Sequence, residues 1–366
     1  MTRIQYIDVA KFLGILAIVY FHGFKESAAT SYTSSFLLPL FFFLNGMTLK
    51  MDNIRFGDFL VKKLKGYIVP AIGLGILAVC LDAVIRSLFH NPLDDTFFTR
   101  GISSSINQIR FLSVWFLTAL FFCDIFLFGL YQKFKGNIWL MGLGTFAILG
   151  FGIVYNMSHR QSMVWNIDAA FFGVVFTYFG HLFTHKKSSF LYSHLMSSRW
   201  ISLLIGLILL VATYFFSLYI YRNYNGYMIM FSSLYVKYYL TLPCGLLGAL
   251  GSVFTCRGLT NFILAYPVKF NLTLLAIHQV FTIPLFKHFV AKPWWGIVAS
   301  NPPEDTGLIL FVLTMTLFSL VIAAILHCAI IITPLSFLLN KRRLAISGVF
   351  FLQKCYIVHK KVGAPE

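Results

Sequence analysis

The sequence is poor in charge. Only 11% of its 366 residues are Asp, Glu, Lys or Arg, while 58% are hydrophobic and the mean hydropathy is +0.80. Such a chain has far more apolar surface than one soluble core can enclose, which excludes a water-soluble globular protein. Acid is the scarcer sign, 12 residues against 29 basic ones, giving a net charge of +17. Long polar segments are also missing, so no separate soluble domain is expected. The cysteines, at 80, 123, 244, 256, 328 and 355, lie mostly inside apolar runs with no CxxC and no paired loop spacing. They read as small packing residues and argue against disulfides or metal ligands, and no other metal constellation stands in the sequence. Nucleic-acid motifs and internal repeats are likewise missing.

What is there is a succession of apolar runs of about 20 residues, the length that crosses a bilayer as a helix. They lie near 6–23, 33–49, 67–89, 113–132, 138–156, 164–184, 201–221, 230–253, 268–290 and 307–337. The expected fold is an all-α integral membrane protein, a bundle of about ten transmembrane helices, with residues 1–340 as the membrane domain and 341–366 as a basic tail. Lys and Arg are about twice as frequent at the N-terminus and in the even-numbered connections as on the other side, so both termini are expected in the cytoplasm. Because these basic residues sit in short loops beside spans, anionic membrane lipid is the expected partner and nucleic acid is not. Asp8 and Lys11 interrupt the first apolar run, which argues against a cleaved secretory signal.

That first run, RIQYIDVAKFLGILAIVYFHG, carries Asp8, Lys11 and His22. Asp or Lys at the centre of a membrane helix costs about 2.5–3.5 kcal/mol on insertion scales. At 100° per residue, Lys11 and His22 fall within about 20° of one direction and Asp8 lies about 60° from Lys11. The three form one polar stripe, with His22 roughly 16 Å beyond Lys11 along the axis. An ion pair between Asp8 and Lys11 at the inner interface, with His22 snorkelling at the outer one, accounts for the stripe equally well. Other polar marks stand in LPLFFFLNG (Asn45), FGDFLVKKLKG (Lys62, Lys63, Lys65), VWFLTALFFCD (Trp115, Asp124) and NLTLLAIHQ (His278). The lysines, Trp115 and His278 each have a plain structural reading: a positive-inside signal for the lysines, an interfacial belt for Trp115 and hydrogen-bonded packing for His278.

Taken together and in this order, these stretches and IDAAFFGVVFTYFGHLF resemble the membrane acyltransferase-3 family, most of all its fucose 4-O-acetylase-like branch. The resemblance runs from residue 3 to about residue 290. It implies a ten-helix enzyme of the cell inner membrane that moves an acetyl group from acetyl-CoA to a carbohydrate hydroxyl in a lipid-linked or surface glycan. The family's basic residue eleven positions before a catalytic His falls on Lys11 and His22. Its pair of Arg spaced by two residues falls on Lys62 and Lys65, where Lys keeps the charge but loses the bidentate fork for phosphate. The second-helix motif often has Ser where this chain has Asn45.

On this reading His22 is the base for the acceptor hydroxyl, and Lys11, Lys62 and Lys65 hold the donor's phosphates. Asp8, Asn45, Trp115 and His278 are supporting or substrate-binding residues. Asp8, roughly 21 Å from His22 on the same helix, cannot orient it. Asp168 is the nominated orienting carboxylate, ahead of Asp82 and Asp124. A polytopic transporter or flippase also suits a bundle with intramembrane Asp, Lys and His, and an inactive glycan-binding scaffold suits the two Lys-for-Arg changes.

Overall fold

Apolar segments in a bilayer must satisfy their backbone groups internally, and a helix does so within one segment. The computed structural model describes residues 5–23, 28–159, 162–184, 198–224, 237–260, 269–295 and 306–339, and every regular element among them is helical. Among the described residues nine helices are long and apolar enough to cross a membrane: α1 (Gln5–Gly23), α3 (Phe56–Leu88), α5 (Trp115–Lys133), α6 (Ile138–His159), α7 (Val164–Thr184), α8 (Arg199–Tyr224), α9 (Tyr238–Gly258), α10 (Asn271–Ala291) and α11, which runs Thr306–Ile332. The remaining expected span is α2 (Ala28–Thr48), a 21-residue helix whose Ser/Thr-rich first half and Asn45 lower its hydropathy. Packed against α1, α5, α7, α8 and α9, it is nonetheless central to the bundle. Its hydroxyls turn back on their own helix, Thr33, Ser34 and Ser35 each donating to the carbonyl three residues earlier at 2.7–3.0 Å.

Three expectations need revision. The third span begins not at 67 but at Phe56, because the amphipathic segment Phe56–Lys63 runs through a π-turn, Leu64–Ile68, into the apolar Val69–Leu88. Lys62, Lys63 and Lys65 therefore stand on a helix and not in a loop. The connection after it contains α4 (Phe97–Asn107), too short to span, which packs along α3 through Gly75 and Gly101. The last run ends at Ile332, where Thr333 and Pro334 break the α-helix into the 3-10 turn Pro334–Leu339. The start of the eighth expected span, 230–236, and the 341–366 tail lie outside the described residues.

One apolar core joins α2, α5, α6 and α7 around Phe42, Phe116, Cys123, Phe172 and Phe176. A second joins α1, α3, α10 and α11 around Ile15, Val19, Leu74, Ile277 and Phe286. A third ties the start of α1 to the end of α2, bringing Ile7 and Ala10 together with Leu44 and Met47. Thus α1 and α2 run antiparallel, and Asn45 lies at the level of Asp8 and Lys11. Cys123, Cys244 and Cys256 are buried packing residues as expected, whereas Cys80 and Cys328 are exposed on the bundle surface.

Candidate active site

His22 lies in the last turn of α1, and its side chain is exposed. It meets α10. The His22 ring lies 5.1 Å, centroid to centroid, from the ring of His278, and the Gln279 side-chain nitrogen is 3.0 Å from His22 Nδ1 and 3.1 Å from Nε2. Both partners come from one local feature. A π-turn opens at His278, and such turns widen a helix and splay neighbouring side chains at sites where an ordinary turn would not place them. His278 points into the core while Gln279 reaches α1.

The proton on His278 can be assigned from its partners. Its Nδ1 lies 3.0 Å from the carbonyl oxygens of both Leu274 and Leu275, which only accept, so Nδ1 carries the hydrogen. Nε2 is then an acceptor, and Ser113 Oγ–H donates to it across 3.3 Å. With both nitrogens engaged and the ring fully buried, His278 is a fixed wall beside His22. His22 is the exposed imidazole of the two.

Ser113 belongs to an irregular loop between α4 and α5. Gln108, Arg110 and Leu112 all have φ near +50°, a conformation that costs a non-glycine residue about 1–3 kcal/mol. The loop is held from α7. Asn166, itself at φ +58°, donates from Nδ2 to the Gln108 carbonyl at 2.5 Å and to Thr118 Oγ1 at 2.8 Å, and its Oδ1 accepts from the Arg110 amide at 3.0 Å. Arg110 forms a buried ion pair with Asp168, bonds Ser162 Oγ at 3.0 Å and lies over the Trp115 ring. The structure therefore brings His22 to His278 and Gln279, and places Asp168 and Trp115 in the neighbouring cluster that shapes the Ser113 loop. An amide, not the nominated carboxylate, stands within hydrogen-bonding distance of His22. Asp82 is engaged by Arg86 one turn away at 3.1 Å.

A second polar cluster lies at the opposite level. Asp124, fully buried on α5, accepts from Asn45 Nδ2 at 2.6 Å and pairs with Lys63 Nζ at 2.5 Å. The Tyr67 hydroxyl donates to Asn45 Oδ1 at 3.0 Å, and Lys63 also sits over the Phe59 and Tyr67 rings. Asn45 is thus the clasp between α2, α3 and α5. Lys62 and Lys65 point outward and are exposed, while Asp8 and Lys11 are half-buried on α1. Gln279, Ser113, Arg110 and Asn166 escaped the sequence reading. Uncharged or loop-borne, they have partners 48 to 257 positions away, and no local pattern marks them.

The arrangement offers an accessible imidazole at one level and exposed cations at the other. Neither a curated protein nor a solved structure matches the chain. The family model described as an acyltransferase domain, that of acyltransferase-3, matches residues 4–328, nearly the whole chain. The helical bundle built around these two polar levels belongs to the acyltransferase-3 family and is a membrane acyltransferase.

Proposed function

We propose that this acyltransferase moves an acetyl group from acetyl-CoA to a hydroxyl of a carbohydrate, in a lipid-linked or surface glycan, at the inner membrane of the cell. His22 takes the hydroxyl proton as the oxygen attacks the thioester carbonyl, and returns a proton to the departing CoA sulfur when the tetrahedral adduct collapses. The thioester C–S bond breaks, an ester C–O bond forms, and the proton passes from hydroxyl to thiol by way of His22. Lys62 and Lys65, exposed three residues apart on the first turns of α3, and Lys11 on α1 suit the donor's phosphates as point charges. Lys63 is engaged by Asp124 and contributes less.

The observation that carries this reading is the division of labour between the two histidines: both His278 nitrogens are engaged, and His22 is accessible beside it. The test is acetyl transfer in membranes. Labelled acetyl-CoA is supplied, label is followed into extractable glycan, and the unmodified protein is compared with His22→Ala at matched expression. Transfer by the first and a loss of about 100-fold or more in the second is expected for removal of a general base. Equal transfer by both would remove His22 from the chemistry. A transporter, suggested by the buried Lys63–Asp124 pair, would move solute without consuming the donor.

A further inference from the structure

His22 must present one particular ring nitrogen, in one orientation, to the acceptor hydroxyl. Among the described residues no carboxylate lies within ion-pairing distance of it, and His278 has both nitrogens committed elsewhere. The group at its ring is the Gln279 carboxamide. The amide nitrogen is equidistant from the two ring nitrogens, and a bond to either one leaves the other unbonded by Gln279.

We propose that Gln279 is the positioning residue of His22, holding one imidazole nitrogen through its carboxamide so that the other meets the acceptor hydroxyl. An amide suits this task better than an aliphatic side chain because it carries a donor and an acceptor. Its Nε2 donates to an unprotonated ring nitrogen. Turned by 180° it places Oε1 at the same point, where it accepts from a ring N–H. The bond therefore persists as His22 gains the hydroxyl proton, and the accepting form keeps the imidazolium bonded in the transition state. The π-turn supplies the reach: it opens at His278, so consecutive side chains on α10 serve as the fixed wall and the adjustable clamp. Gln279 is half-buried and crosses from α10 to α1, so its position depends on the packing of two helices and not on a mobile loop.

The inference rests on the acetyl-transfer reading, and its test separates the two. Full-length protein in membranes is assayed with labelled acetyl-CoA as Gln279→Leu, Gln279→Glu and His22→Ala, with kcat and KM measured for each. Gln279→Leu should lower kcat about ten- to hundredfold, equivalent to about 1.4–2.7 kcal/mol, and leave KM for acetyl-CoA within about twofold, since ground-state binding is untouched. Gln279→Glu, which still accepts from the ring N–H, should stay within about threefold of the unmodified kcat. Gln279→Met, of equal length and unbranched, replaces the Leu variant if that one is not recovered as monodisperse protein. A Leu or Met variant at full kcat beside an inactive His22→Ala overturns the role of Gln279 alone. Equal losses in the Leu and Glu variants overturn it as a hydrogen-bonding role. Full activity in His22→Ala overturns the acetyl-transfer chemistry at this site.

Discussion

Three lysines within four residues illustrate how residue identity and residue role separate. Lys62 and Lys65 are exposed, but Lys63 turns inward to a carboxylate that has no contact with solvent. Removing one partner of such a pair leaves a buried charge uncompensated, which costs about 3–5 kcal/mol, whereas neutralising both is far milder. Lys63→Ala should therefore lower the melting temperature of detergent-solubilised protein sharply, and Lys63→Met combined with Asp124→Asn should recover most of it. Lys62→Ala and Lys65→Ala should leave melting unchanged and raise the KM for acetyl-CoA. Ser113→Ala removes the donor to a buried imidazole nitrogen and should cost about 1–3 kcal/mol by the same melts. Ionisable residues in apolar runs were legible from the sequence as exceptional, and so His22, His278 and Asp124 stood out, whereas the lysine cluster was marked by the family resemblance. Their partnerships were not. Lys63 differs from its neighbours only by the face of α3 it occupies, and Gln279 is one polar residue whose partner lies 257 positions away.

At the scale of elements, glycines bring two helices close enough for the polar clasp to form. A Cβ on Gly46 of α2 would lie 1.9 Å from the Thr177 carbonyl oxygen of α7, and one on Gly180 of α7 would lie 2.0 Å from the Phe43 carbonyl oxygen of α2. Both obstacles are backbone, so a methyl at either position must push the helices apart. Gly46 adjoins Asn45, and separation of α2 would draw that amide from Asp124. Gly46→Ala and Gly180→Ala are each expected to destabilise by about 1–3 kcal/mol or more. Gly150→Ala, where nothing lies within 4 Å, should be neutral or slightly stabilising, as Ala favours helix over Gly by about 1 kcal/mol. Thermal melts of the three variants decide it. The spans themselves were legible because a bilayer imposes length and hydropathy on each one separately. The π-turns at Leu64–Ile68 and His278–Thr282 were not, since they answer to neighbouring helices, and α4 was missed because it is too short to leave a span-like signal.

Over the whole molecule, the two polar clusters occupy opposite levels of the bundle. The antiparallel packing of α1 and α2 sets Asn45, Asp124 and Lys63 beside the start of α1, where Asp8 and Lys11 stand. His22, at the end of α1, faces His278, Gln279 and the Ser113 loop, roughly 16 Å from Lys11 along the axis. A donor whose phosphates rest on Lys62 and Lys65 must therefore extend its thioester inward, towards the other side of the membrane, to reach His22. If the donor is acetyl-CoA, as proposed, the lysine end must face the cytoplasm, the orientation that the excess of Lys and Arg in the connections on that side also predicts. The requirement is testable with single cysteines on a cysteine-free background and a maleimide that cannot cross membranes. Asp95→Cys, in the exposed connection before α4, should be labelled in intact cells. Lys62→Cys should be labelled only after permeabilisation, and more slowly when CoA is present, because a bound nucleotide covers that turn of α3. Labelling of Lys62→Cys from outside intact cells would invert the bundle and leave the lysines facing a compartment without donor. Cytoplasmic labelling that CoA does not slow would keep the orientation and move the phosphate seat away from α3, so that the path of the donor to His22 would have to begin elsewhere on the same face.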